Sequence, residues 1–149
     1  MYKKILVPLD RSKRAEVILH HVKNIAMSFK ATVIFFIVIE PVLFLEHDEV
    51  IGMSKYLEIS DQQKKETESY LADLQTEFRS GGIKVQTLIG YGPVVKAIID
   101  VANSENVDLL AMASHGRSGL SRTFYGSIAA GVLQRIDRPL LLIRSRGDE

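Results

Sequence analysis

Val107-Asp108-Leu109-Leu110-Ala111-Met112-Ala113-Ser114-His115-Gly116-Arg117-Ser118-Gly119 passes from an apolar run of strand type into a loop of glycine, serine and arginine. From Gly126 to Ile136 apolar residues return at helical spacing. Strand, glycine-containing loop and helix follow one another in the order that anion binding needs. Backbone N–H groups converge on an anion only where no Cβ blocks the approach, and the first turn of a helix adds unpaired N–H groups and the positive end of its dipole. Ser114, Ser118, Ser121, Thr123 and Ser127 add hydroxyls, and Arg117 and Arg122 add charge. Turn chemistry enriches the same residues for conformational reasons, so the loop needs its context before it carries a function.

Outward from this stretch the chain alternates. Lys4 to Leu9 reads as a strand, Ser12 to Phe29 as a helix with Ile18, Val22, Ile25, Ala26 and Phe29 on one face, and Thr32 to Ile39 as a second strand. Lys55 to Arg79 reads as a helix with Leu71, Leu74 and Phe78 on one side, stopped by Ser80-Gly81-Gly82. Ile83 to Ile89 is then a strand, Gly90 to Pro93 a turn, and Pro93 to Ser104 a helix with proline at its first position. Val107 to Met112, the Gly126 to Ile136 helix and Leu140 to Arg144 complete a β-α-β-α-β-α-β-α-β order. Such alternation predicts a parallel sheet covered by helices on both faces, in one domain spanning residues 1–149. Ligands of open sheets of this kind bind beyond the carboxyl ends of the strands, where the strand order reverses. Asp10 and the Ser114 loop both fall on that edge. The segment Glu40 to Ser54 mixes Phe44, Leu45, Val50, Ile51 and Met53 with Glu46, Asp48 and Glu49, and is too apolar for a simple solvated loop.

Composition limits the functional classes. At 149 residues, 46% hydrophobic and 25% charged, the chain is long enough to bury roughly two thirds of its unfolded surface. It has no cysteine, so neither a disulfide framework nor a thiolate metal site is available, which suits a reducing cytoplasm. Nineteen basic residues against eighteen acidic ones leave a net charge of +1 and argue against nucleic acid as a partner. The Ile5-Leu6-Val7 run, cut short by Pro8 and Asp10, is too short for a signal peptide, and no segment reaches membrane-spanning length.

Other phosphate-site templates fail. No G-x-x-x-x-G-K-[ST] is present, and Gly90-Tyr91-Gly92-Pro93-Val94-Val95 lacks the third glycine of a dinucleotide fingerprint. Gly116-Arg117-Ser118-Gly119 has its second glycine one place early for a nucleophile elbow. The adjacent His20 and His21 cannot share one metal face on a helix. What the chain resembles, over essentially its whole length, is the universal stress protein family. The family signature is G-x-x-G, nine residues, then G-[ST]; here it reads Ala113-Ser114-His115-Gly116, then Arg117 to Tyr125, then Gly126-Ser127. The opening Ile5-Leu6-Val7-Pro8-Leu9-Asp10 matches the family's first strand with its P-x-D ending.

The resemblance implies a five-stranded doubly wound sheet of order 3-2-1-4-5, dimerisation through the last strand, here Leu140-Leu141-Leu142-Ile143, and, in one of two broad groups, binding of ATP or AMP. By position it assigns Pro8, Asp10 and Val38 to the adenosine half of the ligand, and Met112, Ala113, Gly116, Gly126, Ser127 and Ile128 to the ribose and phosphate half. Arg117 joins them as a candidate phosphate clamp, and Mg²⁺ or Mn²⁺ would enter with the phosphates. Ala113 departs from the signature glycine. Where the backbone needs a positive φ, alanine there costs on the order of 1 kcal/mol; where it needs only closeness, one methyl is tolerated. No residue pair supplies a base and a nucleophile, so ATP hydrolysis is at most slow. The expectation is a cytoplasmic, homodimeric, nucleotide-binding regulator or sensor of the stress response. The rival is a dimeric interaction module with a vestigial nucleotide site, acting on an unidentified protein partner through Glu40 to Ser54.

Overall fold

Runs rich in β-branched, leucine and aromatic residues become the strands, and their bilateral burial is what a parallel sheet demands. The computed structural model describes residues 1–40, 52–114 and 126–145. In chain order these form β1 (Lys4–Leu9), a short 3₁₀ turn (Ala15–Ile18), α1 (Leu19–Phe29), β2 (Thr32–Ile39), α2 (Met53–Ser80), β3 (Lys84–Tyr91), α3 (Val94–Ser104), β4 (Leu109–Ala113), α4 (Ser127–Arg135) and β5 (Leu140–Ile143). The strands are parallel and lie in the order β3-β2-β1-β4-β5, so the doubly wound architecture expected from the sequence is the one observed.

Two apolar layers sandwich the sheet. On one face Ile5, Val7, Leu9, Val33 and Phe35 pack with Ile18, Val22 and Ala26 of the first helical segment and Leu71, Leu74 and Phe78 of α2. Phe35 and Phe78 meet edge to face with ring centroids 4.9 Å apart. On the other face Leu6, Ile34, Phe36, Leu110 and Met112 pack against Ile98 and Ala102 of α3 and Ala129 and Val132 of α4. The alternation of β1 side chains between these layers is the two-residue period of a strand used on both sides.

Several boundaries differ from the sequence reading, each for a local reason. The helix expected from Ser12 begins only at Ala15, as a 3₁₀ turn, and becomes α-helical at Leu19. Asp10 and Ser12 spend their side chains on the preceding turn, where Asp10 Oδ1 accepts from the Ser12 N–H at 2.9 Å and Ser12 Oγ accepts from the Ala15 N–H at 3.1 Å. Phe29, expected on the buried face, is 44% exposed and stacks edge-on against Tyr2 instead. β4 starts at Leu109 rather than Val107, whose N–H still closes the end of α3 on the Ala102 carbonyl. Pro93 is the N-cap of α3, with extended ψ of 129°, and not its first helical residue. α2 begins at Met53, two residues before the expected Lys55.

The sharpest difference is Gly90, which lies inside β3 opposite Val38 of β2 rather than in a turn; the turn falls two residues later, at Gly92 with φ 99°. Glycine is needed at position 90 for space. A Cβ there would lie 2.6 Å from Cζ of Phe36, a side chain buried to 1% exposure. Gly90→Ala is therefore expected to destabilise the fold by about 1–3 kcal/mol through overpacking, read from urea unfolding. An unchanged midpoint would show that the Phe36 ring moves aside without cost.

Candidate functional site

The strand order reverses between β1 and β4, and the two strands run together only briefly. Their ladder pairs Ile5 with Leu109 and Leu6 with Leu110, whereas β1 stays paired with β2 from Lys4 through Leu9. At the amino edge this seam is tightly closed. Asp108 accepts from the N–H groups of both Lys3 and Lys4 at 2.8 Å and returns its own N–H to the Lys4 carbonyl at 2.9 Å. Those bonds from Lys4 and Lys3 hold the Asp108 carboxyl below its ordinary pKa. Counting along the strands from the Leu6–Leu110 pair brings Asp10 level with Ser114, beyond the last ladder pair. The β1–β4 ladder therefore ends short of the carboxyl edge at the topological switch point, where open sheets of this kind form their binding crevice.

Ser114 organises one wall of that crevice. Its N–H donates to the Ile143 carbonyl at 2.8 Å, its carbonyl accepts from the Gly126 N–H at 2.8 Å, and its Oγ accepts from the Ser145 N–H at 3.2 Å. The first and third bonds extend the β4–β5 pairing past Ala113, and the second pins the start of α4 to the end of β4. Gly126 is the N-cap of α4, with φ −66° and ψ 162°, and no side chain caps this helix end among the described residues. The first-turn N–H groups of α4 are thus delivered to the carboxyl edge of the sheet, next to the crevice.

The predicted site residues separate into four sets. Pro8 is the last but one residue of β1, opposite Phe36, Asp10 follows β1 directly, and Gly126, Ser127 and Ile128 start α4, so these five are carried to the carboxyl edge. Val38 pairs with Gly90 one strand further out and is half-buried against the α3–α4 layer. Met112 and Ala113 are the last residues of β4, at 5% and 7% exposure, and the Met112 side chain belongs to the core. Gly116 and Arg117, with His115 and the hydroxyls of Ser118, Ser121 and Thr123, lie outside the described residues, as do residues 41–51 of the Glu40 to Ser54 segment.

Ala113 is paired with Ile143 in the ladder, and the non-glycine residues with positive φ among those described are Arg11, Lys30 and Asn106. Alanine at the first signature position therefore carries no left-handed strain. That removes the conformational ground for expecting Ala113→Gly to bind a ligand more tightly.

Sequence reading missed two features of this edge. One is the triple role of Ser114, which the motif treats as a variable position. The other is a polar contact between the turn after β1 and α2: Arg11 Nη1 donates to Glu66 Oε2 at 3.1 Å, and the Tyr70 hydroxyl donates to Glu16 Oε1 at 2.9 Å. Both partners are more than fifty residues away, and no local pattern announces them. A separate cavity of about 620 Å³ lies at the ends of β2 and β3 against the exposed first half of α2, lined by Ile39, Glu40, Tyr56, Leu57 and Tyr91 among others. None of the predicted site residues lines it.

An open parallel sheet with a crevice at its switch point and a helix start pinned beside it defines an α/β ligand-binding fold. The chain belongs to the universal stress protein family, which matches residues 1–144. Universal stress protein MJ0577 of Methanocaldococcus jannaschii is 30% identical over 157 aligned positions, taking in 98% of this chain and 97% of that protein. The solved structure of MJ0577 is similar with a TM-score of 0.84 and covers 99% of each chain. UspA of Lactobacillus plantarum shares the fold at 22% identity, with a TM-score of 0.83 over 96% of this chain and 98% of its own. A universal stress protein solved in complex with cAMP shares it at 18% identity, with a TM-score of 0.70 over 97% of this chain and 98% of its own. Among the described residues, no helix is long and apolar enough to cross a membrane.

Replacing Ser114 with alanine removes the acceptor of the buried Ser145 N–H while leaving both backbone bonds of residue 114 intact. The expected loss is about 1 kcal/mol, with faster amide exchange at Ser145. Unchanged exchange there would show that another acceptor takes the N–H.

Proposed function

We propose that the chain binds an adenine nucleotide, ATP or AMP, in the crevice between β1 and β4, and acts in the cytoplasm as a homodimeric regulator or sensor of the stress response. One observation carries the reading: Asp10 follows β1 directly and Ser114 pins the start of α4 to the end of β4, so both lie on the edge where β1 and β4 part. A carboxylate accepts hydrogen bonds from ribose hydroxyls or an adenine amine, and a helix start that no side chain caps among the described residues suits phosphate. The solved cAMP complex of a universal stress protein supports the reading, since cAMP is itself an adenine nucleotide held by this fold. Pro8 and Val38 would flank the adenosine, and Gly116, Arg117, Ser127 and Ile128 would serve the phosphate half with the backbone of Met112 and Ala113. Among the described residues no cluster of His, Asp and Glu could hold a metal ion, so Mg²⁺ or Mn²⁺ would arrive on the phosphates. The rival reading of a vestigial site drew on Ala113, and the ladder pairing there removes the backbone-strain part of that argument.

Gly126 offers a clean test. Its φ and ψ are ones any residue adopts, so valine there brings no left-handed strain while its branched side chain crowds the helix start. Isothermal titration with ATP and Mg²⁺ is expected to show saturable binding that weakens at least about tenfold in Gly126→Val and in Asp10→Ala, a change of about 1.4 kcal/mol. No heat from ATP or AMP up to millimolar concentration would overturn the nucleotide reading.

Dimerisation is proposed through β5, an edge strand of four apolar residues that are all half-exposed. The carbonyls of Pro139 and Ile143 face β4, accepting from Leu110 and Ser114, so strand alternation turns the N–H and C=O groups of Leu140 and Leu142 outward. Pairing with the same strand of a second copy would satisfy them. Leu142→Pro removes an outward donor and is expected to lower the association state in sedimentation equilibrium while the helical circular dichroism persists. A wild type that sediments as a monomer at micromolar concentration would refute this interface.

A further inference from the structure

Arg11 has φ 70°, a left-handed conformation that a side chain with a Cβ adopts only against steric resistance. It directly follows Asp10, and the turn it makes leaves the Ser12 N–H on the Asp10 carboxylate at 2.9 Å. The turn is braced from within by Asp10 Oδ1 on the Ser12 N–H and by Ser12 Oγ on the Ala15 N–H. From outside it is held by α2. Arg11 donates to Glu66 Oε2 at 3.1 Å, while Oε1 of the same carboxylate accepts from Gln62 at 3.0 Å, so both oxygens are fixed. One helical turn on, Tyr70 donates to Glu16 at 2.9 Å. α2 therefore grips the segment at the strained residue and again at Glu16 beyond it.

The protonation states suit the grip. The bonds from Gln62 and Arg11 hold the Glu66 carboxyl below its ordinary pKa, keeping it charged. Burial, and then the bond to Glu16, push the Tyr70 hydroxyl well above its usual value, keeping it a donor. The Arg11 and Glu66 side chains are 26% and 48% exposed, and ion pairs so open to water add little to global stability. Their consequence is local geometry.

We propose that Glu66 and Tyr70 are positioning residues for the adenosine end of the nucleotide site, holding Arg11 and Glu16 so that the left-handed turn presents Asp10. The proposal rests on the adenine-nucleotide reading above. α2 then acts on the site through the β1 turn, and the clamp's action is specific to the ligand half that Asp10 serves.

Amide hydrogen exchange without ligand, together with titrations of ATP and of adenosine, tests it on the full chain. Glu66→Ala is expected to speed exchange at Ser12 and Ala15 about fivefold, and to weaken ATP and adenosine by the same factor, about three- to tenfold, with little change in melting temperature. Glu66→Gln, which keeps an acceptor for Arg11, should recover part of that loss, and Tyr70→Phe should cost about threefold. In an Arg11→Ala background Glu66→Ala should cost nothing more, because its action passes through Arg11. Unchanged exchange and affinity in Glu66→Ala and Tyr70→Phe would overturn the proposal, as would a Glu66→Ala loss of equal size with and without Arg11. A wild type that binds neither ligand overturns it together with the nucleotide reading, and the exchange data, taken without ligand, distinguish that failure from a clamp that does not exist.

Discussion

Two backbone hydrogen bonds at one residue hold the carboxyl edge of this sheet together. The Ser114 N–H reaches Ile143 and the Ser114 carbonyl receives Gly126, each at 2.8 Å. Because residue 114 is buried to 2% exposure, neither group has water as an alternative partner, and breaking either bond leaves an unsatisfied polar group inside the protein. The seating of β5, the end of β4 and the start of α4 all follow from that one position. With α4 fixed there, its first turn starts at the same edge of the sheet that Asp10 follows.

The opposite wall is set by different physics. β1 leaves the sheet through a turn that needs a left-handed arginine, and a chain does not hold such a conformation without help. The help comes from a long helix whose C-terminal half is core and whose other half is mostly solvent-facing. Thr67, Leu71, Leu74 and Phe78 anchor α2, and Glu66 and Tyr70 take up the polar work on its flank. One wall of the crevice is thus a matter of backbone closure, the other of side chains reaching across from another element.

The fold was legible because it is written in periodicity: alternating strands and helices, buried on both faces, leave few topologies for a chain of this length. The positions of Asp10 and of the Gly126-Ser127 helix start were legible as well, since strand ends and helix starts are local events. What the residues did not announce depends on distance or volume. Gly90 looks like a turn residue beside Gly92 and Pro93, and only the Phe36 ring on the neighbouring strand shows why it is glycine. Phe29 looks like a core residue by spacing, yet it sits where the helix outruns the sheet and finds Tyr2. The Arg11–Glu66 pair joins positions whose proximity exists only after folding. Family resemblance supplied the motif, but the strain it led one to consider at Ala113 is found instead at Arg11.

The seam between β1 and β4 also bears on how the molecule assembles. The three strands β1, β2 and β3 join through successive crossovers, whereas the Lys4–Asp108 contact at the base of the seam closes a loop of 104 residues. Loop-closure entropy of that kind is met late on the folding path, after contacts nearer in sequence have formed. The N-terminal three-stranded half and the β4–β5 half are thus joined by the longest-range strand pairing of the sheet, and the binding edge lies above their weld. A molecule seated across that edge would touch both halves at once, making occupancy a report on whether the two halves of the chain have found each other.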